Sequence, residues 1–243
     1  MHAKTETVAI GWCDNGMVDG KFTEGLVFTM LHEKSLIVDS VRAQGNQIGR
    51  QRQVLLDAWY DKNSTDWLLW VDSDIVLTPQ VFKALWDAAD KATRPVVTGV
   101  YFISKENEQT MMAPYPCIFL ETGSEHEIAY VHPLPPNEIM KVDLAGMGLA
   151  LMHRSVVDKL RNKFPDQSMF AEIGGVGNKF ISEDIVFFRK LKEAGIPVHA
   201  HTGARVKHMK RFALDENYYR NYWQIHALIM EEKKKNGQVS KLV

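Results

Sequence analysis

The sequence predicts an α/β fold built on a mixed, mostly parallel sheet flanked by helices, and three features predict it. Short apolar runs alternate with amphipathic segments from Thr7 to about His208, the pattern of strands joined by crossover helices. One of these runs, Trp67–Val71 (WLLWV), is apolar at every position, as expected of a central strand covered on both faces. With 243 residues, 45% of them hydrophobic, the chain can bury one large core of this kind.

Each element follows from its local pattern. Thr7–Cys13 (TVAIGWC) reads as the first strand, and Asp14, Asn15 and Gly16 as the turn after it. A helix is expected over Phe22–Glu33, a second strand over Leu36–Val41, and a longer helix over about Asn46–Tyr60. The spacing of that longer helix turns Ile48, Val54, Leu55 and Ala58 towards the core. After WLLWV, Thr78 can cap the next helix and Pro79 suits its first turn. Val81, Phe82, Leu85, Trp86 and Ala89 then recur at helical spacing, and Pro95–Tyr101 returns as a strand.

From there to about Met140 the pattern loosens. Pro114, Pro116, Pro133, Pro135 and Pro136 interrupt regular structure, so this stretch is expected to form irregular hairpins that shape a substrate face. Lys141–His153 is strand-like, with Gly146 and Gly148 allowing close backbone approach. Gly174–Asn178 (GGVGN) reads as a mobile loop before a helix that opens at Ser182 and stops at Gly195-Ile196-Pro197. A short strand ends near His208, and Asp215–Lys235 forms a closing helix whose cations sit favourably near its C-terminus. No repeat or linker is visible, so one domain is expected.

Charge and composition exclude several function classes. The 29 Lys+Arg and 30 Asp+Glu leave a net charge of -1, which gives no reason for nucleic acid as a general electrostatic partner. Cys13 and Cys117 are too few and too far apart for a disulfide scaffold or a zinc site, and a reduced cytoplasmic setting follows. The opening MHAKTETVAIGW has no apolar signal region, and no run of about 18 apolar residues is present to span a membrane.

The chemistry concentrates in Asp72-Ser73-Asp74, directly after WLLWV. Residues i and i+2 of an extended backbone point the same way, so both carboxylates can converge at the carboxyl end of the strand. Ligands of open α/β sheets bind at that end, and paired carboxylates there suit Mg2+ or Mn2+ together with phosphate oxygens and water. The plainer reading is that these side chains cap a turn.

The stretch DWLLWVDSDIVLTPQVFKALWDAADKATRPVVTGVYF resembles the nucleotide-binding half of GT-A-type glycosyltransferases, the nucleotide-diphospho-sugar transferase superfamily, especially small bacterial and phage-encoded members. VDLAGMGLALMHRSVVDKL is similar to the family's strand, glycine pair and helix beneath the donor sugar. SEDIVFFRKLKEAGIPVHAHTGARVKH is similar to its E-D helix and later metal-binding histidine. GRQRQVLLDAW stands where many members carry A-R-N, although here Gln51 and Gln53 flank Arg52.

This resemblance implies a single GT-A domain: a nucleotide-binding half over about 7–103, an acceptor and metal half over about 104–214, and a C-terminal helix over 215–243. It implies a nucleotide-diphospho-sugar donor and a divalent cation, Mn2+ or Mg2+. Asp72 would face the ribose and the metal, Asp74 would be the direct metal ligand, and His208 would complete the protein ligands. Asp184 would be the general base and Glu183 would orient the acceptor, or the two would exchange roles. Arg52 would face the diphosphate, Ser73 would lie beside the nucleotide, Gly146 and Met147 would border the sugar, and Gly11, Trp12 and Asp14 would lie beside the nucleobase. The acceptor would be a glycan, a lipid-linked intermediate, a protein or a modified nucleic acid, and a phage-encoded enzyme would act in the host cytoplasm.

Each residue also has a plainer reading. His208 can be an ordinary strand-end residue. Glu183 and Asp184 can complement the helix dipole, worth about 0.3–1 kcal/mol. Arg52 can form a surface ion pair, and a strand glycine can mark a bulge. Among rival functions, DSDIVL fits the first motif of haloacid-dehalogenase-like phosphohydrolases, with Asp72 as nucleophile. That motif normally ends the first strand of its fold, whereas two βα units precede it here, and SEDIVFF does not resemble the later acidic motif. A non-catalytic nucleotide- or sugar-binding protein is the second rival. A dinucleotide oxidoreductase lacks support, because GWCDNG stands where G-x-G-x-x-G belongs.

Overall fold

The computed structural model of the chain describes residues 6–107, 110–123, 128–174, 181–211 and 215–235. In chain order the elements are β1 (Val8–Asp14), α1 (Gly20–His32), β2 (Ile37–Gln44), α2 (Ile48–Lys62), β3 (Trp67–Val71), β4 (Ile75–Val76) and α3 (Pro79–Ala88). Then follow β5 (Val96–Val100), β6 (Phe102–Asn107), β7 (Thr110–Pro116), β8 (Ile118–Glu121), β9 (Ile128–Tyr130), β10 (Ile139–Val142), β11 (Leu144–Ala145) and β12 (Leu149–His153). The remainder is α4 (Ser155–Lys163), α5 (Glu183–Glu193), β13 (Val198–Arg205), β14 (Lys207–His208) and α6 (Glu216–Lys235).

The chain divides into two compact units. The first takes in Met1–Phe102 and Pro116–Met209, the second Ile103–Tyr115 and Lys210–Val243. A seven-stranded sheet in the order β10-β13-β5-β12-β3-β1-β2 forms the centre of the first unit. β2, β1, β3, β5 and β13 run parallel, while β12 and β10 run against them. The mixed, mostly parallel sheet expected from the sequence is therefore present.

Helices cover both faces. Successive β1 residues show this directly: Gly11 lies against Leu55 of α2, and Trp12 lies against Phe22 of α1. Every residue of β3 is buried, with Trp67 edge-on to Trp86 of α3 and Trp70 on the opposite side against Phe170. This two-sided burial is why β3 is apolar throughout instead of alternating. Thr78 caps α3 as expected, accepting a hydrogen bond from the Val81 amide at 3.3 Å.

Three local expectations need correction. Lys141–His153 is three short strands, because the Asp143 and Gly146 amides leave the main sheet to bond the Phe119 and Cys117 carbonyls. β2 continues past Val41 to Gln44, which carries Arg42 to the carboxyl edge of the sheet. In α2, Val54 is 52% exposed, and the buried face instead carries Gly49, Arg52, Leu55, Leu56 and Trp59. Carboxylates facing Arg52 hold a charged residue on the inner side, so apolar spacing alone misplaces that face.

Ile173 and Ile181 pair through two backbone hydrogen bonds of 3.1 and 3.0 Å. Of the predicted loop Gly174–Asn178, residues 175–178 lie outside the described residues. In the second unit, α6 exposes Tyr219, Tyr222, Trp223, Ile225, Leu228 and Ile229. Among the described residues no helix is long and apolar enough to cross a membrane.

Candidate functional site

Asp74 and His208, 134 residues apart, meet because a two-stranded ladder holds them. β4 and β14 pair antiparallel with Ile75 opposite His208, and the Met209 amide donates to the Asp74 carbonyl at 2.8 Å. Nε2 of His208 stands 3.1 Å from Oδ2 of Asp74, and Nδ1 stands 2.9 Å from the Phe102 carbonyl. A carbonyl only accepts, so Nδ1 carries the proton. In the neutral ring, Nε2 then presents a lone pair to a carboxylate oxygen, two acceptors in contact. That arrangement calls for a proton or a cation in between.

The 3.1 Å separation fits an N–H···O hydrogen bond and also a pair of ligands on one cation. Two ligand atoms bound at about 2.1 Å and at right angles lie about 3.0 Å apart, close to the separation seen. The Phe102 carbonyl fixes the ring as outer partners of metal-bound histidines do. Among the described residues no group of three or more His, Cys, Asp or Glu side chains is placed to hold a metal ion. The pair offers two protein donors.

Asp72 is engaged differently. Its amide donates to the Gly148 carbonyl at 3.0 Å as β3 ends. Both of its carboxylate oxygens accept from Nη2 of Arg52, at 3.0 and 3.1 Å. Nη1 of the same guanidinium donates to Oε1 of Glu183. Arg52, expected to face a diphosphate, is thus 4% exposed and clasped by two carboxylates. Burial pushes the Glu183 carboxyl up, and Arg52 opposes that push.

Close approach of the Phe170 backbone to α2 depends on Gly49, where a Cβ would lie 2.4 Å from the Phe170 carbonyl oxygen, with Cβ of Glu183 3.3 Å away. Asp184, beside Glu183 in the first turn of α5, is half-buried. Its Oδ1 accepts from the Ser182 hydroxyl and from the Ile185 amide.

On the glycine segment, Tyr101 occupies the space that side chains would need. A Cβ at Gly146 would sit 2.0 Å from the Tyr101 oxygen and 2.4 Å from Sγ of Cys117, and one at Gly148 2.8 Å from Cζ of Tyr101. The Tyr101 hydroxyl accepts from the Gly148 amide at 3.2 Å and donates to Cys117. The Tyr101 ring meets the His208 ring edge-on at 5.0 Å. Met147, between the two glycines, is buried.

At the ends of β1 and β2, the Asp14 carboxylate is fully buried and accepts four hydrogen bonds. Nε and Nη2 of Arg42 donate at 2.6 and 2.7 Å, the Gly16 amide at 2.7 Å and Nε1 of Trp12 at 3.1 Å. Arg42 holds the Asp14 carboxyl below the usual carboxylate range. The Gln51 amide, also buried, donates to the Asp14 carbonyl at 2.6 Å. Gly11 lies inside the packing, where a Cβ would stand 2.8 Å from Leu55 and 2.9 Å from Leu68. Ser73 forms the turn after β3, and its carbonyl accepts from the Asp19 amide at 3.2 Å. A cavity of about 500 Å³ opens between the end of β2 and the start of α2, walled by Gln44, Asn46, Gln47, Arg50 and Gln51.

The residues that sequence reasoning missed are Arg42, Gln51 and Tyr101. Only Arg42 left a signal, a cation in register with Trp12 across the parallel pair, and that register is invisible without the fold.

No family model matches the chain, and no relative is found among curated protein sequences. Among solved structures the chain is similar to A197 from STIV, at 16% identity and a TM-score of 0.50 over 84% of this chain and 86% of that one. GalNAc-T7, solved with UDP, GalNAc and Mn2+, superposes with a TM-score of 0.48 at 10% identity, over 86% of this chain and 45% of that one. The inositol-1-phosphate CTP transferase from T. maritima does so with a TM-score of 0.47 at 10% identity, over 91% and 96%. At such identities the likeness to A197 from STIV is one of fold alone, a mixed, mostly parallel sheet flanked by helices.

Proposed function

We propose that this chain is a divalent-cation-dependent glycosyltransferase that moves a sugar from a nucleotide-diphospho-sugar to an acceptor hydroxyl with inversion. One observation carries the reading. His208 and Asp74 face each other at 3.1 Å beyond the carboxyl end of β3, with the far ring nitrogen of His208 committed to the Phe102 carbonyl. With Nδ1 committed as a donor, the Nε2 lone pair and the carboxylate need a proton or a cation between them, and in this reading it is a cation that they hold.

In this reading Asp74 and His208 would hold Mn2+ or Mg2+ beside the donor diphosphate. Bound there, a divalent cation would supply positive charge to offset that of the departing nucleotide. The nucleoside lies at the carboxyl ends of β1 and β2, in the cavity walled by Gln44, Asn46, Gln47 and Gln51, where open α/β sheets bind ligands. Asp72, turned aside by Arg52, borders the ribose, and the Gly146–Gly148 backbone borders the sugar. Asp184, the less buried of the two carboxylates in the first turn of α5, takes the acceptor proton, a contribution of roughly 10²–10⁴-fold. Glu183 is tied to Arg52 and orients the acceptor. The phosphohydrolase alternative gains nothing, since both oxygens of its would-be nucleophile Asp72 are engaged by Arg52.

The test is a thermal-shift panel of nucleoside diphosphates and nucleotide sugars, with and without Mn2+, on wild type and Asp74→Ala. A ligand that binds only the folded state raises Tm by mass action. The expected result is a Mn2+-dependent rise with one nucleotide, absent in the variant. Phosphatase turnover of generic esters without any nucleotide shift would overturn the reading.

A further inference from the structure

A guanidinium buried in a protein core persists only where acceptors surround it, since an unpaired buried charge is costly. Arg52 meets that condition in a particular way. Its rigid fork spends Nη2 on both oxygens of Asp72 and Nη1 on Glu183. These partners come from separate parts of the fold, Asp72 from the end of β3 and Glu183 from the first turn of α5. Gly49, one turn earlier on α2, leaves room for the Phe170 carbonyl, with Cβ of Glu183 the next nearest atom. The Asp184 carboxylate adds to the negative field on Arg52.

We infer that Arg52 is a positioning residue: its guanidinium ties the donor-side Asp72 to the acceptor-side Glu183 and fixes the spacing of the two halves of the site. The inference rests on the function proposed above. It also removes Arg52 from the set of groups that touch the diphosphate, because its donors point into the protein. Lysine cannot replace the fork, since one ammonium on a flexible stem does not bond two separated carboxylates with fixed geometry. The tie contributes to catalysis through Glu183 and Asp184, and to nucleotide affinity hardly at all.

Three measurements on the full chain, made on wild type, Arg52→Lys and Arg52→Met, test this. Mn2+-dependent nucleoside diphosphate affinity, read by calorimetry, is expected to change by no more than about threefold in Arg52→Lys, while kcat falls by about 100-fold with donor KM nearly constant. Carbon-13 NMR of labelled glutamate carboxyls, with Glu183 assigned by its absence in Glu183→Gln, is expected to show its titration moving upward once the cation is lost. Parallel loss of nucleotide affinity and turnover would place Arg52 on the diphosphate and overturn the inference. An unmoved Glu183 titration with undiminished turnover would overturn it as well. A wild type without transferase turnover, but with the Glu183 shift in the variants, would sink the proposed function and leave the tie standing. Arg52→Lys supplies the affinity and turnover readings if Arg52→Met fails to fold.

Discussion

Nε2 of His208 and Oδ2 of Asp74 lie 3.1 Å apart, and the opposite ring nitrogen of His208 is bonded to the Phe102 carbonyl. The ring therefore cannot rotate away without abandoning a hydrogen bond, and Asp74 is held by the backbone of the β4–β14 ladder. Replacing His208 by Gln is expected to weaken Mn2+ binding by at least roughly 10–100-fold, on the scale seen when metal-site partners are lost. Manganese EPR titration in the presence of nucleoside diphosphate checks this, and equal affinity in both proteins would remove His208 from the ligand set.

Tyr101 fills the room left by Gly146 and Gly148. Tyr101→Phe leaves the buried Gly148 amide without its acceptor, which is expected to cost about 1–3 kcal/mol. Gly146→Ala forces a Cβ against the same ring, an overpacking of about 1–3 kcal/mol. Urea unfolding of both variants measures these losses, and midpoints equal to wild type would refute the packing argument.

The Asp14 carboxyl is held low by Arg42, and the sign of its pH effect follows. Above the unfolded value of about 3.9 the group is ionised in both states, and its stabilisation is fully present. As pH falls from there through the folded value, the unfolded chain takes up a proton that the folded chain refuses, and stability is lost. Asp14→Asn is therefore expected to show a flatter decline of stability than wild type below about pH 4. Parallel acid-unfolding curves for the two proteins would contradict this.

Burial pushes the thiols of Cys13 and Cys117 up to about 12. At pH 8 neither is then an effective nucleophile. Iodoacetamide is expected to label neither cysteine in the native protein and both in urea, as read by intact mass. Rapid native labelling of either would show that its surroundings open.

Much of the fold was legible because its signals are local. The unbroken WLLWV run marked the central strand, Thr78-Pro79 marked the start of α3, and the alternation of apolar runs with amphipathic segments marked the mixed sheet. The inner face of α2 was not legible, because Arg52 turns inward and apolar spacing treats arginine as a surface residue. Lys141–His153 read as one strand because period-two patterning does not say which neighbour each part will pair with, and here four different strands take it up.

The same division runs through the candidate site. Asp72 and Asp74 are proposed from the strand end they follow, and Glu183, Asp184 and His208 from the family resemblance, since residue types in order along the chain are what sequence displays. Their partnerships were decided by tertiary structure alone. Arg52 joins residues 20 and 131 positions away, Asp14 takes its cation from 28 positions away, and His208 meets Asp74 across 134. Propensity and periodicity reach a few residues along the chain. Which charges neutralise one another is set by how strands are ordered in the sheet and how closely α5 can approach α2, and those distances exist only once the core has packed.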